Sequence, residues 1–200
     1  GFLGQSFLDS LVADTKLSLD FIMAKYIFLG HTQDSCSIIS KKYGLKIEPS
    51  EMLTPTSIEN ILINQGISRI VNFSGFIPSN LSTSNEVMNC IESNFIGIYN
   101  VISLAKKYGV NEYLGIGSIN STNSSSMYGL TKDIAELFTL QNGFSFISSP
   151  NILGSKNSVL DTWYNLAKKN LPLTVTDVNC IRYFVTIGSI IKLVHSENYP

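Results

Sequence analysis

Charge is scarce in this sequence: Asp, Glu, Lys and Arg together make up 14% of its 200 residues, and the formal net charge at pH 7 is −1. Lys and Arg are scattered rather than blocked together, so there is no cationic surplus to release counterions from a polyanion. Nucleic acid is therefore not an expected partner, and no attraction to an anionic membrane surface is expected either. Long apolar runs are missing too. VTIGSIIKLV (185–194) falls well short of the roughly 20 residues that a spanning helix needs, so no membrane is expected. Cysteine is limited to Cys36, Cys90 and Cys180, without a Cys-x-x-Cys spacing, and the 2 histidines are not clustered. That pattern excludes a zinc site and a disulfide framework, so no metal is expected and the three thiols are read as reduced and buried. No signal peptide is visible, which points to the cytoplasm.

What is present is a globular composition, 44% hydrophobic, on a chain long enough for one domain. The runs AKYIFLG (24–30), SRIVNFSG (68–75), NEYLGIGS (111–118) and GFSFISSP (143–150) are short, rich in β-branched and aromatic residues, and end in Gly, Ser or Pro. Parallel strands covered on both faces read this way. Residues 85–109 place Val87, Ile91, Ile98, Ile102 and Ala105 at near-helical spacing and stop at Gly109, which predicts one long crossover helix. Residues 127–143 predict a helix ending at Gly143, and 158–170 another ending before Pro172. Such alternation is the sequence form of an α/β fold, a doubly wound parallel sheet with helices on both faces.

The chain opens GFLGQSFLDSLV, a glycine turn leading into a helix whose apolar stripe includes Phe7, Leu8 and Leu11. A dinucleotide fingerprint needs a strand, glycines for a tight turn and close approach to the pyrophosphate, then a helix whose first N–H groups face the phosphates. Gly1 and Gly4 fit the last two of those glycines; they also fit a plain turn before a surface helix. On the first reading the strand itself is absent. That strand lies in the middle of a doubly wound sheet, so its neighbours would keep open edges, and the expectation is a partial sequence, a fragment lacking its first strand.

Tyr128 and Lys132 share one helical face in SSSMYGLTKDIAEL (124–137). Tyr164 and Lys168 repeat the spacing, so spacing alone proves little. Ser118 separates the two pairs, because it ends the run YLGIGS shortly before Tyr128, at the carboxyl edge where open α/β sheets bind ligands. A phenol with a pKa of about 10 is a poor acid or base at neutral pH, and a nearby ammonium lowers that value by favouring the phenolate. The expected chemistry has Lys132 supplying that charge, Ser118 donating to a substrate oxygen, and Tyr128 exchanging a proton while a nicotinamide exchanges the hydride. Tyr164 and Lys168 are expected to form a solvated helix face.

In this order the residues resemble an extended short-chain dehydrogenase/reductase, of the NAD-dependent epimerase/dehydratase type, nearly from end to end. GFLG resembles the tail of that family's TGxxGxxG turn, and VNFSG (71–75) resembles the segment that lies along the cofactor. Asn94 matches the asparagine of its central helix, followed by Gly-x-x-Asn-Val and Ala-Lys-x-x-Gly-Val. SSPNILGS (148–155) resembles the stretch whose Pro-Asn pair lies near the nicotinamide and the sugar nucleotide. The resemblance implies a Rossmann-like dinucleotide-binding domain over residues 1–150 and the start of a substrate-binding region over 151–200. It implies an enzyme with catalytic Ser118, Tyr128 and Lys132, and with cofactor contacts at Gly1, Phe2, Leu3, Gly4, Phe73, Ser74, Gly75, Asn94 and Pro150. Asn151 and Arg182 would contact substrate.

Within that family the likeness is closest to the polysaccharide-biosynthesis branch that includes UDP-N-acetylglucosamine 4,6-dehydratases, carried by NILGSKNSVLDTWYNLAKKNLPLTVTDVNCIRYFV (151–185). Arg182 would then grip the substrate diphosphate with its guanidinium fork; its other reading is a surface arginine. The helices at 84–108 and 127–141 resemble those through which the family forms homodimers as a four-helix bundle.

One departure bears on the reaction. Those dehydratases carry Ser-Thr-Asp-Lys after the fifth strand, the Asp and Lys acting as acid and base, where this chain has GSINS (117–121). Ile119 exchanges no proton and Asn120 is a poor substitute, so reduction or epimerisation of a nucleotide-sugar substrate is expected rather than 4,6-dehydration, in cell-surface polysaccharide biosynthesis. The cofactor is NAD or NADP: His31 and Thr32 stand where an acidic residue would accept the adenosine ribose, which leans towards NADP, while Asp34 follows closely and could reach back to it. A non-catalytic cofactor-binding relative and a short-chain reductase of a non-sugar carbonyl are the alternatives.

Overall fold

The structure, a computed structural model, describes residues 1–78, 83–119, 126–156, 158–175 and 177–196. Helix α1 (Phe2–Ala13) turns Phe7, Leu8 and Leu11 inward, and α2 (Leu19–Lys25), capped by Ser18, leads into β1 (Phe28–Gly30). Helix α3 (Gln33–Tyr43) starts in a capping box of Thr32 and Ser35 and stops at Gly44 with φ +68°, before β2 (Ile47–Pro49). Helix α4 (Thr56–Gln65) precedes β3 (Arg69–Asn72). Then come α5 (Ser84–Ile91), one π-helical turn (Glu92–Ile96), α6 (Gly97–Lys107), β4 (Glu112–Ser118), α7 (Met127–Gln141) and β5 (Ser145–Ser149). The chain continues through β6 (Asn151–Ile152), α8 (Val159–Lys168), β7 (Phe184–Val185) and α9 (Ile187–His195).

Every ladder is parallel: β1 with β2, β4 with both β3 and β5, and β6 with β7. Among the described residues, β1 pairs only with β2, and β3 only with β4. The four strand-like runs all supply strands. The crossover expected as one helix is helical without interruption from Ser84 to Lys107, and it contains a π turn at Glu92–Ile96 that carries the fully buried Asn94.

Strand β4 shows why the sheet is covered on both faces. Leu114 and Ile116 enter a core with Phe7, Leu11, Ile22 and the α9 residues Ile190 and Val194, while Tyr113 enters a second core with Ile58, Ile102 and Ala135. Successive side chains of a strand face opposite ways, so one seven-residue strand serves two helix layers. Gly115 and Gly117 share the second face, and a Cβ on either would lie 2.5 Å from the ring of Phe146 on β5. Only the missing side chains let that ring lie across the strand.

Helix α9 returns to the first core, and Arg69 Nη2 donates to its Val194 carbonyl at 2.7 Å. The described residues of 171–183 are all exposed, Cys180 included; this corrects the expectation that all three thiols are buried, which holds for Cys36 and Cys90. No helix among the described residues is long and apolar enough to cross a membrane.

Candidate active site

The loop after β3 is clamped by two asparagines. Asn72 Oδ1 accepts from the Ser74 N–H at 2.8 Å, and its Nδ2 donates to Tyr113 Oη at 2.9 Å. Asn94 grips Phe76 in both directions, Oδ1 accepting from its N–H and Nδ2 donating to its carbonyl, each at 2.8 Å. Gly75 lies between these anchors and against Lys132: a Cβ on it would stand 2.8 Å from Lys132 Nζ and 3.7 Å from Asn94 Oδ1. Ser74 Oγ is buried and has no hydrogen-bond partner among the described residues.

Lys132 is 4% exposed on the inner face of α7. Burial pushes its ammonium down to about 8, with Cys90 acting in the opposite sense. Tyr128, half-buried in the first turn of the same helix, is pushed above the usual phenol value by burial and then by Cys90. This reverses the expected lowering by Lys132: desolvation penalises the phenolate, and Lys132 is not among the groups that act on it.

A buried polar layer lies beneath the pair. The Thr131 hydroxyl donates to the Tyr128 carbonyl at 2.8 Å, while Asn94 Nδ2 lies 3.3 Å from Cys90 Sγ and 3.4 Å from Thr131 Oγ1. Sequence reasoning did not single out Asn72, Cys90 or Thr131. Thr131 stands beside Lys132 in the motif and Cys90 one turn before Asn94, but only the tertiary contacts give these positions a role.

Ser118, at the end of β4, is in register with Ser149 of β5, next to Pro150 and Asn151. The Asn151 N–H and Nδ2 both donate to the Tyr183 carbonyl, at 3.1 and 3.2 Å, which ties the exposed Arg182 segment to this edge. Across the sheet the start of α1 approaches: a Cβ on Gly4 would lie 3.7 Å from Phe73 Cβ, and one on Gly154 would lie 4.0 Å from the Phe2 ring. Gly1 caps α1 without a side-chain bond and the helical ladder begins at Gln5, so the N–H groups of Phe2, Leu3 and Gly4 have no intrahelical partner. Asn120, Ser121 and Thr176, which belong to two of the compared motifs, lie outside the described residues. Tyr164 and Lys168 sit apart on the surface of α8, the ammonium 4.7 Å above the ring.

A second concavity opens at the carboxyl ends of β1 and β2. His31, Thr32, Ser50 and Glu51 line this open cleft of about 470 Å³, and none of its lining residues is Lys or Arg. Thr32 Oγ1 accepts from the Ser35 N–H at 3.2 Å, so it already serves the cap of α3. Among the described residues no three His, Cys, Asp or Glu side chains are grouped to hold a metal ion.

Residues 78–199 match the profile of a family described as polysaccharide biosynthesis protein. The chain is 29% identical over 189 residues to the capsular polysaccharide biosynthesis protein CapD of Staphylococcus aureus, a match covering 85% of this chain and 31% of that protein. It is 29% identical over 120 residues to a UDP-N-acetylglucosamine 4,6-dehydratase (inverting) of Campylobacter jejuni, covering 55% of this chain and 36% of that one. The chain thus spans about a third of the length of these curated relatives. UDP-glucuronic acid 4-epimerase from Bacillus cereus, solved with UDP-glucuronic acid and NAD, superposes with a TM-score of 0.75 over 99% of this chain and 71% of that one at 13% identity. That likeness shows a common fold, a Rossmann-like α/β architecture with parallel strands. Because the family profile covers more than half of its residues, the chain belongs to the polysaccharide biosynthesis protein family.

Proposed function

We propose that this chain is the dinucleotide-binding part, residues 1–150, and the start of the substrate-binding region, 151–200, of an NAD-dependent enzyme. Its substrate is a nucleotide-activated sugar used for a cell-surface polysaccharide, and its reaction is reduction or epimerisation. The observation that carries this reading is the buried Lys132 ammonium held against Gly75, one helical turn from Tyr128.

The residues present fit a dinucleotide. Three unpartnered N–H groups at Phe2, Leu3 and Gly4 suit a pyrophosphate, and the orphaned Ser74 Oγ beside Gly75 is a buried polar atom that a ligand would satisfy. Phe73, which faces Gly4, and Pro150 would complete that wall, with the buried Asn94 holding the loop behind it through the Phe76 backbone. The cleft at His31 and Thr32 would take the adenosine end; Glu51 lines it, no cation does, and Asp34 sits in the first turn of α3, which disfavours a 2′-phosphate and favours NAD over NADP.

When bound, the nicotinamide takes or gives the hydride. Ser118 donates to the reacting sugar oxygen, and Tyr128 exchanges its proton. Burial raises Tyr128 further above the ordinary phenol range, which suits it to donate a proton to a forming alcohol, the step that reduction needs. Lys132, at about 8, is still mostly charged at neutral pH and supplies positive potential there. Arg182, joined to Asn151 through Tyr183, would reach the substrate diphosphate. Ile119 offers no acid or base, which argues against the 4,6-dehydration named for the Campylobacter relative.

The exposed Leu130, Ile134 and Leu137 on α7, beside exposed Met88 and Tyr99, form an apolar face suited to a homodimer through a four-helix bundle. Free thiols suit a reducing cytoplasm.

Full-length protein incubated with UDP- and dTDP-sugars, followed by nicotinamide absorbance and product mass, tests the reading. Turnover with at least one sugar is expected, and Tyr128→Phe should lose it by about 10²–10⁴-fold while keeping cofactor affinity. No product with any sugar removes the reading.

A further inference from the structure

We infer that Thr131 is a positioning residue, a buried junction through which α5, the π turn and the Gly75 loop fix where Tyr128 and Lys132 stand. Thr131 lies between those two residues in sequence and is 3% exposed. Its single hydroxyl proton goes to the Tyr128 carbonyl at 2.8 Å, so its oxygen can only accept from its other neighbours. Those neighbours are Asn94 Nδ2 at 3.4 Å and Cys90 Sγ at 3.5 Å, and by elimination the thiol is the donor in the second contact.

The direction of each bond defines a chain of restraint. One Asn94 amide proton holds the Phe76 carbonyl, and the other is shared between Cys90 and Thr131. The bond from the Thr131 hydroxyl back to the Tyr128 carbonyl ties the threonine to the first turn of α7, where Tyr128 is mounted. The same asparagine that reaches Thr131 also clamps the loop whose Gly75 covers Lys132 Nζ. Phenol, ammonium and loop are therefore referred to one another through Thr131. A methyl in place of the hydroxyl would fill the same volume, leave the Cys90 thiol proton without an acceptor and leave the Asn94 proton with Cys90 Sγ alone, in a layer where all three residues are buried.

This rests on the oxidoreductase reading above, and the test separates the two. Thr131→Val removes the hydroxyl at constant volume; Thr131→Ser keeps it. In the full-length protein, Thr131→Val is expected to lower kcat about tenfold with KM for the sugar nucleotide and Kd for NAD unchanged within about twofold, and Thr131→Ser to restore most of kcat. Without any substrate, Thr131→Val should raise amide hydrogen exchange in the first turn of α7 selectively over the rest of that helix. Because Cys90 and Thr131 share one network, Cys90→Ala and Thr131→Val together should lower kcat by clearly less than the product of the two single effects. The proposal is overturned if Thr131→Val keeps wild-type kcat and exchange, if Thr131→Ser is as impaired as Thr131→Val, if exchange rises evenly along α7, or if the double variant is fully additive. Absence of turnover in the wild type would sink the oxidoreductase reading alone, since the exchange comparison still decides the role of Thr131.

Discussion

The backbone of Gly75 lies directly against the ammonium of Lys132: any Cβ at that position would stand 2.8 Å from Nζ. A carbon and a nitrogen cannot share that separation without one moving. The lysine tip is the softer partner, so the contact sets the position of a charge more than it sets stability.

Gly75→Ala should therefore displace Lys132 and leave the fold intact. A fall in kcat of about tenfold or more, with the thermal midpoint shifted by no more than a few degrees, is the expected outcome in parallel turnover and melting measurements. Full activity in the alanine variant would show that the ammonium's position is immaterial.

Burial of Lys132 carries a cost that depends on pH. Its value is about 8 in the folded chain and 10.5 for a lysine free in water, so between those values the unfolded chain holds a proton that the folded chain lacks, and stability rises with pH across that window. Below about 8 both states are protonated and the whole cost, on the order of 3 kcal/mol, is present. Lys132→Met should be more stable than the wild type at pH 7 by up to that order, with the gap closing towards pH 10.5. Urea titrations at pH 7 and pH 10 measure it, and a wild type more stable than the variant at pH 7 would contradict it.

The apolar face of α7 makes a separate prediction. Leu137 is 58% exposed, and a carboxylate there would be stranded in a helix-to-helix interface while costing the monomer little. Leu137→Glu should convert a dimer to a monomer in sedimentation velocity with an unchanged circular dichroism spectrum; unaltered sedimentation would place any dimer contact elsewhere.

Much of the fold was legible in the residues. The four apolar runs are β1, β3, β4 and β5, and the stops at Gly109 and Gly143 are glycines with φ of +66° and +77°. Strand β2 was not, because Ile47, Glu48 and Pro49 form no apolar run and the segment is a strand only beside β1. The π turn was not, because nothing in the local residues marks it, and its buried Asn94 finds its partner in the Phe76 backbone, eighteen residues away in sequence. At the candidate site the sequence singled out Tyr128, Lys132, Asn94 and Gly75, but it implied the wrong direction for the phenol. A lysine four residues on is visible in sequence, whereas the burial that raises the phenol is not.

The sequence by itself determined the alternation of strand and helix, the glycine stops and the four-residue spacing of Tyr128 and Lys132, because each depends on the chemistry of near neighbours. Only the tertiary structure decided that Gly75 covers the lysine, that Asn72 and Asn94 clamp the loop above it, and that Thr131 joins the two sides. Those relations link residues far apart in the chain, and they exist only once two helix layers have closed on the sheet and excluded water from the space between them.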